Sequence, residues 1–334
     1  MSNNIVGFPH RAKTMGGPGS FQTRLIKELT VRGYQIVYPD SKTAPTVVLV
    51  IGGTARLDWL IWCRVKGARI IHRLDGINWR HRVLNCSRWY RLKSEFRNWL
   101  TIFIRNYLAD EIIYQSLFVK NWWEGVYGLR NTRNAIIYNS LDLDEFYPES
   151  TDSNNLPLLI CAEARLNDDH ISQETIKHVA KSLYSEGIIK GIRIVGELGE
   201  SDRSALSGIS GVEVLGLVPR ESMPAILREA DIFLNLDVNA ACPNAVIEAL
   251  SSGLPVVGYR TGALPELVPP EAGILVAYGG DPWKVDKPDL MGLSDAIRNV
   301  VSNLDQFSCA ARRVAEAKYD VRQMTDTYMK VMYR

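Results

Sequence analysis

The chain is poor in the features that would place it outside the cytosol or across a membrane. No run approaches the roughly 18–20 apolar residues that a membrane-spanning helix needs. The N-terminus reaches Pro9, His10 and Arg11 after only a few apolar residues, so no cleaved leader is expected either. Cysteine is scarce: Cys63, Cys86, Cys161, Cys242 and Cys309 are odd in number, irregularly spaced and free of any Cys-x-x-Cys pair, which argues against a disulfide framework or structural zinc. Net charge is almost absent, at +2. With 46% hydrophobic and 23% charged residues over 334 positions, disorder is excluded and two α/β domains are expected.

The small net charge is a cancellation. Residues 1–150 hold 21 Lys and Arg against 12 Asp and Glu, and residues 151–334 hold 18 against 25. Seven of the eight tryptophans fall between Trp59 and Trp123, so aromatic surface and positive charge share one stretch. Within a helix expected over residues 82–108, Trp89, Leu92, Phe96, Phe103 and Tyr107 share a face, with Arg88, Arg91, Lys93, Arg97 and Arg105 around the rest. Two readings stand: the aromatic face packs on a sheet and the charges are solvated, or the surface rests on anionic lipid.

Short apolar runs alternate with segments of helical period along the whole chain, the pattern of βαβ units and parallel sheets. Six strands are expected at residues 5–8, 35–38, 47–51, 69–73, 111–114 and 135–138, and six more at 157–162, 192–195, 212–215, 231–236, 255–259 and 273–277. Residues 139–155, rich in Asp, Ser, Asn and Pro, read as a linker. Helices close the chain at 289–304, 309–318 and 321–333. The expected domains are 1–150, 151–315, and a C-terminal helix, 316–334, crossing back to the first. Open parallel sheets bind ligands beyond the carboxyl ends of their strands.

The strongest local signal is Ala240-Ala-Cys-Pro-Asn-Ala-Val-Ile-Glu-Ala-Leu-Ser-Ser-Gly-Leu-Pro-Val-Val257. A strand runs into a loop, a helix starts near Pro243 and Asn244, and Gly253 ends it. Amides at such a helix start accept anions. Glu248, one turn in, is the only charged residue between Asp237 and Arg260, and a carboxylate there suits two vicinal hydroxyls such as a ribose diol. Phosphate on amides and ribose on Glu248 together indicate a nucleotide.

This segment resembles the family 4 glycosyltransferases of the GT-B fold, in which two Rossmann-like parallel-sheet domains face an interdomain cleft. Their signature places two glutamates eight positions apart before Gly-x-Pro-Val-Val. Glu248 matches the second; the first falls on Ala240, so its contact to the donor sugar is absent or supplied by Asn239 or Asp237. Five further segments follow in the family's order: Met15-Gly-Gly-Pro-Gly19, Asn139-Ser-Leu-Asp-Leu-Asp-Glu-Phe-Tyr-Pro148, Arg165-Leu166, Ile194-Val-Gly-Glu197 with Leu215-Gly-Leu-Val-Pro219, and Tyr259 to Glu266. The family's lysine five residues after Arg165 is His170 here.

The resemblance implies a retaining, metal-independent transfer of a hexose-type sugar from a UDP- or GDP-sugar to a polysaccharide, lipopolysaccharide or lipid-linked acceptor, with no cofactor. It assigns Gly16, Gly17, Gly196, Glu197, Leu217, Val218, Pro243, Asn244, Ala245 and Glu248 to the donor. Asp75, Arg165 and Glu248 are the expected catalytic set, with Arg165 and helix-start amides stabilising the departing diphosphate. Asp75 alternatively caps a helix. His10, Arg11 and Arg73, with His72 as a further candidate, are expected on the acceptor side. The departures at Ala240 and His170 leave open a degenerate protein that binds nucleotide or glycan as a partner subunit. Nucleic acid is not an expected partner, and a cytoplasmic location open to peripheral contact with an anionic membrane is.

Overall fold

The computed structural model describes residues 4–12, 16–149, 155–162 and 170–334, without the side chains of residues 170 and 171. Its strands are β1 (Ile5–Gly7), β2 (Gln35–Val37), β3 (Val47–Ile51), β4 (Arg69–Leu74), β5 (Glu111–Tyr114), β6 (Arg133–Ile136), β7 (Leu158–Ala162), β8 (Gly191–Val195), β9 (Val212–Gly216), β10 (Ile232–Asn235), β11 (Val256–Tyr259) and β12 (Gly273–Val276). The α-helices are α1 (Gly17–Val31), α2 (Leu57–Val65), α3 (Arg88–Phe103), α4 (Leu117–Tyr127), α5 (His170–Val179), α6 (Glu200–Ser207), α7 (Met223–Arg228), α8 (Asn244–Ser251), α9 (Leu264–Leu267), α10 (Leu290–Ser302), α11 (Leu304–Lys318) and α12 (Val321–Met332).

The strands form two six-stranded parallel sheets, ordered β2-β1-β3-β4-β5-β6 and β12-β11-β10-β7-β8-β9. All twelve expected strands are present. A parallel sheet is covered on both faces, which is why its strands are continuous apolar runs such as Val47-Val-Leu-Val-Ile51. The edge strand β6 begins at Arg133, two residues earlier than expected, because ladder pairing with β5 carries polar, exposed Arg133 and Asn134 into the sheet.

The chain divides into two units. The first joins residues 1–140 to 321–334, and the second is 141–320. In the first, α1 and α12 cover one face, where Phe21, Leu25 and Leu29 pack with Val6, Leu49, Ile71, Met324 and Tyr328. On the other face Trp59, Leu60 and Cys63 of α2 meet Val48, Val50, Ile70, Ile104 and Leu108. The second unit packs Ile176, Val179, Leu206, Leu293 and Ile297 against Leu159, Ile192, Ile194, Ile232, Leu234 and Val257. The expected linker is partly packed: Leu141, Leu143 and Phe146 are buried, and Arg312 donates to the carbonyls of Phe146 and Ser251, each at 2.7 Å. The apolar residues inside that polar stretch therefore belong to the second unit, and the break falls at 140/141, not 150/151.

The helix expected from residue 82 is in two parts. Residues 80–82 form a single 3₁₀ turn, and α3 starts only after Ser87, whose hydroxyl accepts from the Tyr90 amide at 3.2 Å. Among the described residues no helix is long and apolar enough to cross a membrane.

Candidate active site

In the first unit the loops after β1, β3 and β4 meet. Gly52, after β3, has φ +62°, and a Cβ there would come within 3.1 Å of the Asp75 carboxylate, so the left-handed backbone and the close approach both favour glycine. Asp75 is held from two sides: the Arg73 guanidinium binds its carboxylate, and Trp123 Nε1 donates to its carbonyl at 2.8 Å. Its side chain stays one quarter exposed. A carboxylate fixed at the carboxyl end of a strand and open to solvent can accept from a substrate hydroxyl.

Arg73 corrects an expectation. Its side chain is 1% exposed, and it faces the protein, not an acceptor. Besides Asp75, it donates to Gln115 Oε1 at 2.8 Å and Asn139 Oδ1 at 2.6 Å, and it lies 4.0 Å over the Phe21 ring. The strand is covered on both faces, so a charged residue near its end turns inward and needs acceptors, which Arg73 finds for both terminal guanidinium nitrogens. His72 is buried too. Its Nε2 donates to the Gly52 carbonyl at 2.7 Å, and burial holds its pKa down at about 4, with Arg105 and Arg130 contributing further repulsion of a proton. It is a neutral structural imidazole.

His10 and Arg11, in the loop after β1, are exposed. The His10 ring meets Thr54 Oγ1 at 2.6 Å, and its carbonyl accepts from Gln22. Arg11 pairs with Asp40 at 2.6 Å over the Tyr38 ring, an outward ion pair. Gly16 occupies the N-cap of α1 with φ +90°, no atom lies within 4 Å of the place a Cβ would take, and Gly17 begins the helix. No side chain caps α1 and no acid occupies its first turn, so this start suits an anion.

The second unit carries the stronger site. β10 leads through residues 236–243 to α8, whose N-cap is Pro243, a residue with no side-chain acceptor. Asn244 and Ala245 form the first turn. Glu248 is half-buried one turn in, while Val246, Ile247, Ala249 and Leu250 are buried around it. The loop is shaped from behind by the turn at 261–263. Ala263 donates to the Ala240 carbonyl at 2.9 Å, and a Cβ on Gly262 would come within 2.6 Å of the Ala240 nitrogen. Ala240 is therefore packed under a turn. Its neighbour Asn239 adopts φ +56° and is buried, and its Nδ2 has no hydrogen-bond partner. A buried unpaired amide is costly, so a ligand acceptor here would relieve a standing penalty.

In the same sheet, with β7 between them and β10, the ends of β8 and β9 are tied by Gly196 donating to the Gly216 carbonyl at 3.0 Å. That bond brings Gly196 and Glu197 together with Leu217 and Val218. Leu217 is exposed, an apolar residue on open display at a strand end. Arg165 lies outside the described residues, and of His170 only its place at the start of α5 is described. Asn239 gave a faint signal in sequence, since asparagine tolerates left-handed backbone. Trp123 gave none as the brace of Asp75, because it comes from a helix 48 residues away.

A family model described as "Glycosyl transferases group 1" matches residues 165–303. The putative colanic acid biosynthesis glycosyltransferase WcaL of Escherichia coli (strain K12) is 28% identical over 181 residues, 46% of this chain and 43% of that protein. The chain thus matches less than half the length of this relative. Among solved structures, Anabaena HepE in complex with UDP and glucose superposes with a TM-score of 0.71 over 98% of each chain at 14% identity. WaaG, a glycosyltransferase involved in lipopolysaccharide biosynthesis, superposes with a TM-score of 0.70 over 98% of this chain and 99% of that one at 12% identity. At these identities the likeness establishes the fold.

Proposed function

We propose that the chain is a group 1 glycosyltransferase that transfers a hexose-type sugar from a UDP- or GDP-sugar to a polysaccharide, lipopolysaccharide or lipid-linked glycan, with retention and without a metal; the family match over residues 165–303, the similarity to WcaL and the shared fold support this reading. The observation that carries this reading is the segment 237–251: an uncapped helix start with Glu248 one turn in and an unpaired Asn239 amide in the loop before it. The α8 amides receive the diphosphate, and Glu248 accepts from the ribose hydroxyls. Leu217 and Val218 cover the base, with Gly196 and Glu197 beside them. HepE, crystallised with UDP and glucose, supports UDP as the first nucleotide to try.

The difficult step is departure of the diphosphate. Charge builds on its oxygens as the glycosidic bond loosens, and fixed amide dipoles stabilise that charge without reorganising. Arg165 is assigned as the accompanying guanidinium. Asn239 Nδ2 stands in for the glutamate missing at Ala240 as a contact to the sugar, a donor where the family has an acceptor. Asp75, braced by Arg73 and Trp123, orients a substrate hydroxyl. Arg73 is a positioning residue.

The buried alanine at 240 also favours a second reading, a non-catalytic protein that keeps the nucleotide site. Turnover separates the two. Purified protein incubated with UDP- and GDP-sugars is expected to hydrolyse or transfer one of them, with the anomeric configuration kept in the product by NMR. Nucleotide binding without turnover supports the second reading, and neither binding nor turnover removes both.

A further inference from the structure

Helix α3 is inside out. Its inward side mixes polar and apolar groups: Ser94, Asn98 and Thr101 are buried beside Leu100, and Arg105 follows, with Ile104 and Leu108, in the π-turn that extends it. Its outward side carries Trp89 at 75% exposure, Leu92, Phe96, Trp99 and, past the turn, Tyr107 at 69%. These positions repeat at three and four residues, so they form one stripe along the axis. The rings touch in series: Phe96 to Trp99 at 5.9 Å, Trp99 to Phe103 at 5.7 Å and Phe103 to Tyr107 at 5.2 Å between centroids.

The polar groups of the inward side have a structural reason. Asn98 Oδ1 accepts from the Asn78 backbone and side-chain nitrogens, both at 3.0 Å, and Asn98 Nδ2 donates to the Asn78 carbonyl at 2.9 Å. The helix thereby clamps the loop three residues beyond Asp75. Nothing of that kind accounts for the aromatic outward side, since a row of large rings in water costs solubility and gains nothing within the unit.

Charge identifies what covers it. Glu95, the one acid of α3, is engaged by His81 and Arg82, and its carboxyl is held down at about 2 chiefly by Arg82. Arg88, Arg91, Lys93 and Arg97 are exposed and have no carboxylate left on their own helix. A second copy of the same face would bring these cations against their own kind. A surface of anionic headgroups complements them, and Trp and Tyr favour the depth between headgroup and acyl chain.

We infer that the outward face of α3 docks the chain onto an anionic lipid bilayer, with Trp89, Leu92, Phe96, Trp99 and Tyr107 entering the interface and the four cations meeting the headgroups. The inference goes beyond the activity proposed above and needs no donor or acceptor, so its failure and the failure of that activity are read separately. Because Asn98 ties α3 to the Asp75 loop, docking sets that loop at the membrane surface.

The test is flotation of the full chain with vesicles of pure phosphatidylcholine or of phosphatidylcholine with 30% phosphatidylglycerol. Wild type is expected to float with the anionic vesicles, at least tenfold more weakly with the neutral ones, and to be released by 0.5 M NaCl. The triple variant Arg88→Gln/Arg91→Gln/Lys93→Gln is expected to lose about 100-fold in affinity, roughly fivefold per charge. Phe96→Ser/Trp99→Ser, at exposed positions, is expected to lose at least tenfold with an unchanged circular dichroism spectrum. Absence of wild-type flotation with anionic vesicles overturns the proposal, as does flotation indifferent to salt and to both variants. A dimer in sedimentation that Phe96→Ser/Trp99→Ser dissolves also overturns it, because the face then belongs to a second copy.

Discussion

The two units solve burial differently. Among the described residues, every buried arginine, histidine and glutamate lies in the first unit, at His72, Arg73, His81, Arg105 and Glu111, whereas the buried polar residues of the second are only Ser, Thr, Asn and Gln. The first unit spends charge on its interior and leaves aromatic rings outside. The second buries only uncharged polar groups and, among the described residues, keeps its charges at the surface. Placement therefore matters more than composition: two arginines of the first unit, Arg73 and Arg105, are buried and structural, and four of its exposed cations, Arg88, Arg91, Lys93 and Arg97, share one helix.

The largest expected effect that sharpens this contrast is at Arg73. Arg73→Met strips Asp75, Gln115 and Asn139 of their shared donor and is expected to cost about 3–5 kcal/mol in urea unfolding. A cost near that of an ordinary surface substitution would show the network to be slack. Next is a pH effect. His72 is neutral when folded, its pKa held down at about 4 by burial against the ordinary 6.5. Above pH 6.5 it is neutral in both states and costs nothing. As pH falls from 6.5 toward 4 the unfolded chain takes up a proton that the folded chain refuses, so stability is lost by about 3 kcal/mol in all. His72→Gln, which keeps a donor for the Gly52 carbonyl, is expected to flatten that part of the stability curve; an unchanged slope would put the imidazole in contact with water.

The helix α3 allows a finer comparison within one element. Asn98→Ala removes three hydrogen bonds to Asn78 and one to Glu95 and leaves Asn78 groups unpaired, for an expected loss of about 2 kcal/mol. Trp99→Ser, on the exposed side, is expected to change stability by less than about 0.5 kcal/mol. The reverse order would mean that the aromatic face is packed after all. The smallest effect is expected from EDTA, which should leave sugar transfer unchanged; loss of activity restored by a divalent cation would overturn metal independence.

The strands were legible because parallel sheets demand uninterrupted apolar runs, and these stand out from their surroundings. The α8 loop was legible because Pro243, Asn244, Glu248 and Gly253 each occupy positions with a local meaning. The direction of α3 was not legible. Helical spacing puts Trp89, Phe96 and Trp99 on one face, but whether that face turns in or out is decided by Asn98 and its partner Asn78, twenty residues away. Arg73 misled for a related reason, since strand register places its backbone at the sheet end, while its acceptors come from other strands and loops. The break between units fell earlier than expected because three apolar residues hide in a polar stretch.

The central claim is that the segment from Asp237 to Glu248 binds a nucleotide through its phosphates and ribose. Titration of UDP and GDP into the wild type and into Glu248→Ala tests it most directly. The account predicts that one nucleotide binds the wild type and that Glu248→Ala weakens it about 100-fold, the loss of two charge-assisted hydrogen bonds, with the variant still folded by circular dichroism. Equal affinity in both proteins would contradict it.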